Sequence, residues 1–369
     1  MTIHNQPTDT AFARSPMLYE IEESTPAAEF VIADVYIWTG AQALRPAQYS
    51  YRLRKSLPAS NRVTFDVSSF VTSLISQQTV GVFEGEQDKL ASEECVWVQV
   101  EFRYLDNADA ISSIQATSSF VIASNGYGEY LEGANQQWSV FMTSVKNHRI
   151  SNAQRSIFAV NNSNATDISL IRVTFDAGGS TDFPLDGTTP KTTSSSNLRF
   201  FDLSPDQLGI VGTGYTIQAI NSVNAVVDSI RIDIVEECRY DVTTMYYTNR
   251  YGVWDFVPFN KKHMESVKAK TFEYLKALGG VSYSTNTGQR TRYNGQTTKS
   301  HTFNTTFLHE SIAEAIEQMM IANETYAYEL EIPLVPTTEN FNVLSSTNDK
   351  LIQYTMNFDE AFYTQNMIR

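Results

Sequence analysis

From Phe30 to Val235 the chain is a succession of short apolar or alternating runs, each closed by turn-forming residues. Alternation with a period of two sends one face of a strand into a core, whereas a helix needs a period near 3.6. Phe30 to Trp38, Tyr49 to Lys55, Arg62 to Phe65, Val96 to Tyr104 and Phe120 to Ser124 form a first series. Ser156 to Val160, Ile168 to Phe175, Leu198 to Phe201, Tyr215 to Ile220 and Ser229 to Val235 form a second. Many short strands between Gly-, Ser-, Thr- and Asn-rich turns are the pattern of β-sandwiches. The abundance of aromatic and β-branched residues agrees with that reading.

The two series share an element. Phe65-Asp66-Val67-Ser68 in the first and Phe201-Asp202-Leu203-Ser204 in the second each close a strand and open a short apolar stretch. Asp and Ser there suit the capping of free N–H groups at a helical turn, and Pro205 suits its first residue. We therefore expect an internal duplication. The expected fold is mainly β: an extended N-terminal arm over 1–28, a first sandwich over 29–145, a second over 146–238, and a β-rich C-terminal domain over 239–369 with one packed helix over 309–322. The arm reading rests on Pro7, Pro16 and Pro26 and the lack of any sustained period, a pattern that orders on a partner. The helix rests on Ile312, Ile316, Met319 and Met320 at helical spacing, with Glu310 and Glu314 early. From Asn260 to Leu278 a capped helix and a long exposed strand fit equally. Asn249 to Phe256 is a compact aromatic string in which Gly252 allows a turn.

Charge narrows the function. The chain of 369 residues carries a net −14, which opposes the clustered cations that non-specific nucleic-acid binding needs. Arg239 to Ser300 holds ten Lys or Arg against four Asp or Glu, +6, which leaves −20 on the rest. That asymmetry suits head-to-tail contact between unlike surfaces, and Lys261, Lys262, Lys268, Lys270, Arg250 and Trp254 are the expected assembly residues. No apolar run is long enough for a membrane span, and the polar N-terminus lacks a signal-peptide core. Cys95 and Cys238 are expected as free thiols.

Catalytic patterns fail on inspection. His309-Glu310 begins like a zinc-protease helix, but the second His position is Ala313. The glycine pairs around Tyr127 and Thr213 lack the Lys-Ser/Thr of a phosphate loop, and no nucleophile elbow occurs. Asp106, Asn107 and Asp109, or Asp176, Asp182 and Asp186, could hold calcium, yet turn chemistry accounts for them as well. No cofactor, metal or enzyme activity is expected. Trp38, Trp97 and Trp254 read as core, while Trp138, preceded by polar residues, reads as exposed, and with Tyr127 and Tyr130 it could contact a glycan.

Two stretches resemble virion structural proteins of tailed bacteriophages that infect Bacteroidetes such as flavobacteria. One is Thr248 to Phe256 followed by Phe259-Asn260-Lys261-Lys262; the other joins Ala313 to Met320 with Asn348 to Phe358. The resemblance implies a non-enzymatic, multi-copy tail or baseplate ring or adaptor protein, made in the host cytoplasm and resident in the virion. Its partners would be other copies and tail-tube, baseplate, fibre or connector proteins, without specific nucleic acid or membrane insertion. The alternatives are a receptor- or glycan-binding module of a tail fibre, and a capsid decoration or head-to-tail joining protein.

Overall fold

Side chains that alternate between the two faces of each strand place a single apolar core between two sheets, first in residues 1–124 and again in 147–234. The computed structural model describes the chain except residues 76–87, 92–93, 109, 163–167, 186–197, 211, 236–238, 278–285, 287, 344–351, 364 and 367–369. It divides into two compact units, Met1–Val235 with Thr248–Phe256, and Glu236–Tyr247 with Val257–Arg369.

The first unit begins with β1 (Thr2–Asn5), β2 (Asp9–Phe12), β3 (Leu18–Glu22), β4 (Ala28–Trp38), β5 (Tyr51–Ser56), β6 (Arg62–Asp66) and a short helix α1 (Ser68–Thr72). β7 (Asp88–Ala91), β8 (Cys95–Asp106), β9 (Ala116–Thr117) and β10 (Val121–Ser124) follow. One sheet runs β2-β10-β8-β4-β5 and the facing sheet β1-β3-β6. Val31, Ala33, Val35 and Ile37 of β4, Val96, Val98, Val100 and Phe102 of β8, and Tyr19, Ile21, Val63 and Phe65 opposite make the core. This is face-to-face sandwich packing.

The second repeat comprises β11 (Asn147–Ile150), β12 (Ile157–Asn161), β13 (Leu170–Phe175), β14 (Ser180–Pro184), β15 (Leu198–Asp202), β16 (Gly214–Ile220) and β17 (Val226–Ile234). Its larger sheet runs β11-β17-β16-β13-β14, the same order strand for strand. In the larger sheet of each repeat the first strand in sequence lies parallel to the last, β2 on β10 and β11 on β17, while the other neighbours are antiparallel. The facing pairs β3/β6 and β12/β15 also correspond. Both repeats thus have an immunoglobulin-type Greek-key order. β7 leaves the first repeat and pairs with β15 of the second, which ties the two together within this unit.

The shared Asp element has the same geometry in both. Asp66 Oδ1 accepts the N–H of Ser68 at 3.0 Å, and Asp202 Oδ1 accepts that of Ser204 at 3.2 Å. The next residue donates to the partner strand's approach in each case, Val67 N–H to Met17 O and Leu203 N–H to Ser156 O. Arg155 pairs with Asp202 at 2.5 Å. Tyr215, at the start of β16, donates its hydroxyl to Leu203 O at 2.6 Å, a tyrosine corner that locks the connection.

One expectation is overturned. Residues 1–28 are not an arm: they supply β1, β2 and β3, and Ala11, Phe12, Met17, Tyr19 and Ile21 are buried. The prolines lie between these strands, at Pro7, Pro16 and Pro26, where they interrupt the period without removing ladder hydrogen bonds.

The second unit is built on a sheet ordered β19-β18-β22-β23-β24-β21-β20 with β25 beside β21. Its strands are β18 (Thr243–Thr248), β19 (Trp254–Phe259), β20 (Met264–Leu275), β21 (Arg290–Asn304), β22 (Thr325–Ala327), β23 (Ile332–Pro336), β24 (Thr355–Glu360) and β25 (Gln365–Asn366). Within the ambiguous 260–278 segment Met264–Leu275 is the strand β20, not a helix, and Leu278 lies outside the described residues. The expected helix is α2 (Ile312–Met320), which buries Ile312, Ala315, Ile316 and Met319. A turn at Tyr328–Glu331, with Glu331 at φ +55°, joins β22 and β23 as a hairpin.

Candidate functional site

The long hairpin β20–β21 is the feature of the second unit that packing does not explain. β20 is an edge strand, and all twelve of its residues are exposed. β21 meets β24 through Ser300–Asn304 and β25 at Gln296 and Thr297. Farther out, among the described residues, it meets β20 alone, with Phe272 opposite Tyr293, Tyr274 opposite Thr291 and Leu275 opposite Arg290. Val267 is 63% and Leu275 67% exposed, and Phe272, Tyr274 and Tyr293 are all about half exposed on this ribbon. Phe272 and Tyr274 contact Tyr293 at 6.1 and 5.8 Å between ring centroids, so the aromatics order the ribbon without covering it.

Ion pairs hold the arm to itself and to the sheet. Glu273 bridges Arg290 and Arg292, and the Arg290 guanidinium holds its carboxyl below the usual range. Lys299 pairs with Glu265 at 2.7 Å and Lys268 with Asp359 at 2.8 Å. At the root His263 stacks on Phe303, with its Nε2 2.9 Å from His301 Nδ1. Burial, then the neighbouring His301, pushes the His263 pKa down.

The expected assembly residues separate. Lys268 and Lys270 lie on β20 and are exposed; Lys262 is exposed and Lys261 half-buried at the bend before it. Arg250 and Trp254 do not belong to such a surface. Trp254 is buried, and the Arg250 guanidinium clamps Glu132 at 2.6 and 2.8 Å. Both sit in the Thr248–Phe256 segment, which is sewn into the first unit. Asn249 Nδ2 donates to Met142 O, Ser124 Oγ to Tyr251 O, and Thr143 Oγ1 to Asp255. Gly252 has φ +74°, as a turn requires, and a Cβ there would fall 2.4 Å from the Asn125 carbonyl carbon.

Trp138 likewise corrects the glycan expectation. It is 6% exposed, and its indole N–H donates to Ala11 O at 2.8 Å, so its polar sequence neighbours belong to a loop that folds over it. Tyr127 is half-buried, whereas Tyr130 is 97% exposed on a short turn closed by Glu129 and Glu132. Beside that turn lies a polar hollow of about 290 Å³ lined by Phe12, Glu132, Gln136, Gln137, Ser139, Arg250 and Tyr251.

The remaining polar clusters are engaged internally. On the outer face of the first sandwich, buried Asp34 binds Arg52 at 2.5 and 2.8 Å and Arg103 at 3.1 Å, while Glu101 binds Arg45 and the Tyr36 hydroxyl. Trp38 and Trp97 stack beside them under the loop at Gly40 and Ala41, as the core reading expects. Asp106 caps the N–H groups of Ala108 and Ala110, Asp176 pairs with Arg231, and Asp182 with Arg172. Asp109, Asp186, Asn348 and Cys238 lie outside the described residues; Cys95 is a buried free thiol.

No family model and no curated protein matches the sequence. Among solved structures, E. coli alpha-2-macroglobulin aligns at 9% identity over 82% of this chain and 21% of its own, with a TM-score of 0.21. A tri-modular GH5 endo-β-1,4-glucanase from Bacillus licheniformis aligns at 8% identity over 59% of this chain and 38% of its own, TM-score 0.19. Fibronectin(III)-like modules of Clostridium thermocellum CbhA align at 10% identity over 65% of this chain and 98% of their own, TM-score 0.16. The chain thus spans about a fifth of the first and under two fifths of the second. Strand order places it among mainly β proteins built of sandwich domains.

Proposed function

We propose that this chain is a non-enzymatic structural component of a tailed-phage virion, a multi-copy ring or adaptor of the tail or baseplate that works through subunit interfaces. The observation that carries the reading is the β20–β21 arm. A two-stranded ribbon is marginal in water, and a long free edge with exposed apolar side chains invites another chain. Such a feature is costly for a monomer and useful for a subunit. In the two duplicated sandwiches Asp34, Glu101 and Asp202 are committed to internal pairs. Resemblance in Thr248 to Phe256 with Phe259 to Lys262, and in Ala313 to Met320 with Asn348 to Phe358, supplies the virion context.

Purified chain, alone and mixed with the products of neighbouring genes, should give closed rings or stacked discs by negative-stain microscopy. A monomer that ignores those partners contradicts the reading. The polar hollow beside Tyr130 favours a second reading, a receptor- or glycan-binding module, and selective binding on a glycan array that disappears in Tyr130→Ala would support it over the first.

A further inference from the structure

We propose that the β20–β21 arm clasps a second copy of this chain, on a surface other than that copy's own arm. The inference rests on the assembly reading above and names its partner. Three observations carry it.

First, the size fits. The twelve residues of β20 and the ten of β21 outside its pairing with β24, Arg290 to Lys299, fall within the roughly 20–30 residues per side of a stable protein interface. Second, the chemistry fits. Val267, Phe272, Tyr274, Leu275 and Tyr293 supply exposed apolar and aromatic anchors, and aromatic anchors dominate interface energetics. Third, the charge selects the partner and the polarity. From Met264 to Asn304 there are six cations and two anions, a net +4 on a chain whose total is −14, which leaves −18 on the rest. Lys268 is held by Asp359, but Lys270 and Lys276 meet no carboxylate among the described residues. Arm against arm would set +4 on +4; arm against the body of another copy sets +4 on −18. Opposite potentials speed encounter and fix register. A contact between unlike patches is heterologous, so it propagates head to tail and closes into a ring or continues as a filament. The same −18 repels nucleic acid, the other partner that a basic ribbon could take.

The test uses the full chain and two variants, Lys270→Glu/Lys276→Glu and Tyr274→Ser/Leu275→Ser, with far-ultraviolet circular dichroism and limited proteolysis as the controls for folding, since the second unit holds no tryptophan. Mass photometry over a concentration series should show self-association of the wild type, weakened by about tenfold or more in each variant and by added salt. Because a variant keeps its body surface, a tagged variant should still be captured by wild-type arms and should cap growing assemblies. Variants that assemble like the wild type, a wild type that stays monomeric, or a variant that neither receives nor donates in the mixture would each overturn the clasp. A shift of duplex DNA abolished by Lys270→Glu/Lys276→Glu would overturn it in favour of nucleic acid. Incorporation of the chain into purified particles, with crosslinks from position 274 leading to a different protein, would overturn the clasp and leave the assembly reading standing; absence from particles would remove that reading itself.

Discussion

His148 should make the first unit lose stability as the medium turns mildly acidic. Its ring is fully buried, stacked on Phe256 at 4.7 Å and edge-on to Phe158 at 5.5 Å. Burial pulls its pKa from 6.5 down to about 3, against the Val145 backbone, which favours the charged form less strongly. Above pH 6.5 both folded and unfolded chains hold it neutral, and its contribution is fully present. As pH falls below 6.5 the unfolded chain takes up a proton that the folded chain refuses, and stability falls until the folded value near 3 is reached. Each pH unit in that window costs ~1.36 kcal/mol, so lowering the pH from about 7.5 to about 5 costs ~2 kcal/mol. All four tryptophans lie in the first unit, so urea denaturation followed by tryptophan fluorescence reports this unit. His148→Phe keeps the aromatic stack and removes the titration. The wild type should lose ~2 kcal/mol more than the variant between those pH values. Equal losses in both, or an NMR titration of His148 near 6.5, would refute the burial argument.

Other expectations concern particular side chains. Gly252→Ala should destabilise the first unit by at least ~2 kcal/mol, since it adds both left-handed strain and a backbone clash; a melting temperature within a degree or so of wild type would contradict the close approach. Trp138→Ala should cost ~3–5 kcal/mol as a core truncation, where a surface platform would leave folding untouched; urea midpoints decide between them. The Cys95 thiol, pushed up to about 12 by burial, should resist alkylation of the native chain near neutral pH and react once urea unfolds it. Fast native labelling at that residue, read by peptide mapping, would contradict its place in the core.

Much of the fold was legible because strand-length apolar runs between turn residues are written directly into the sequence. The runs from Phe30 to Trp38 and Val96 to Tyr104 became the central strands β4 and β8, and the Phe-Asp-x-Ser element marked the duplication that the matching strand orders display. The first 28 residues were misread because β1 to β3 are short and their prolines sit in the gaps, so no window held a full period. Trp138 misled because its polar neighbours describe the chain around it, while its burial comes from Thr10 and Ala11, over a hundred residues away. The same limit applied to Arg250, whose partner Glu132 is distant in sequence. For the 260–278 segment the alternation and the capping signals conflicted, and the sheet decided, because β21 offers an antiparallel partner from Thr302 back to Arg290 with one register shift between Lys270 and Phe272. The Tyr130 hollow had no local signature, being lined from β2, the 132–139 loop and Arg250–Tyr251.

We propose that the chain is a repeated structural part of a virion. Quantitative mass spectrometry of purified particles, with labelled peptides of this chain as standards, measures that directly. The account predicts a fixed copy number of several per particle that survives stringent washing. Particles that lack the chain, or carry it only in trace and variable amounts, would contradict it.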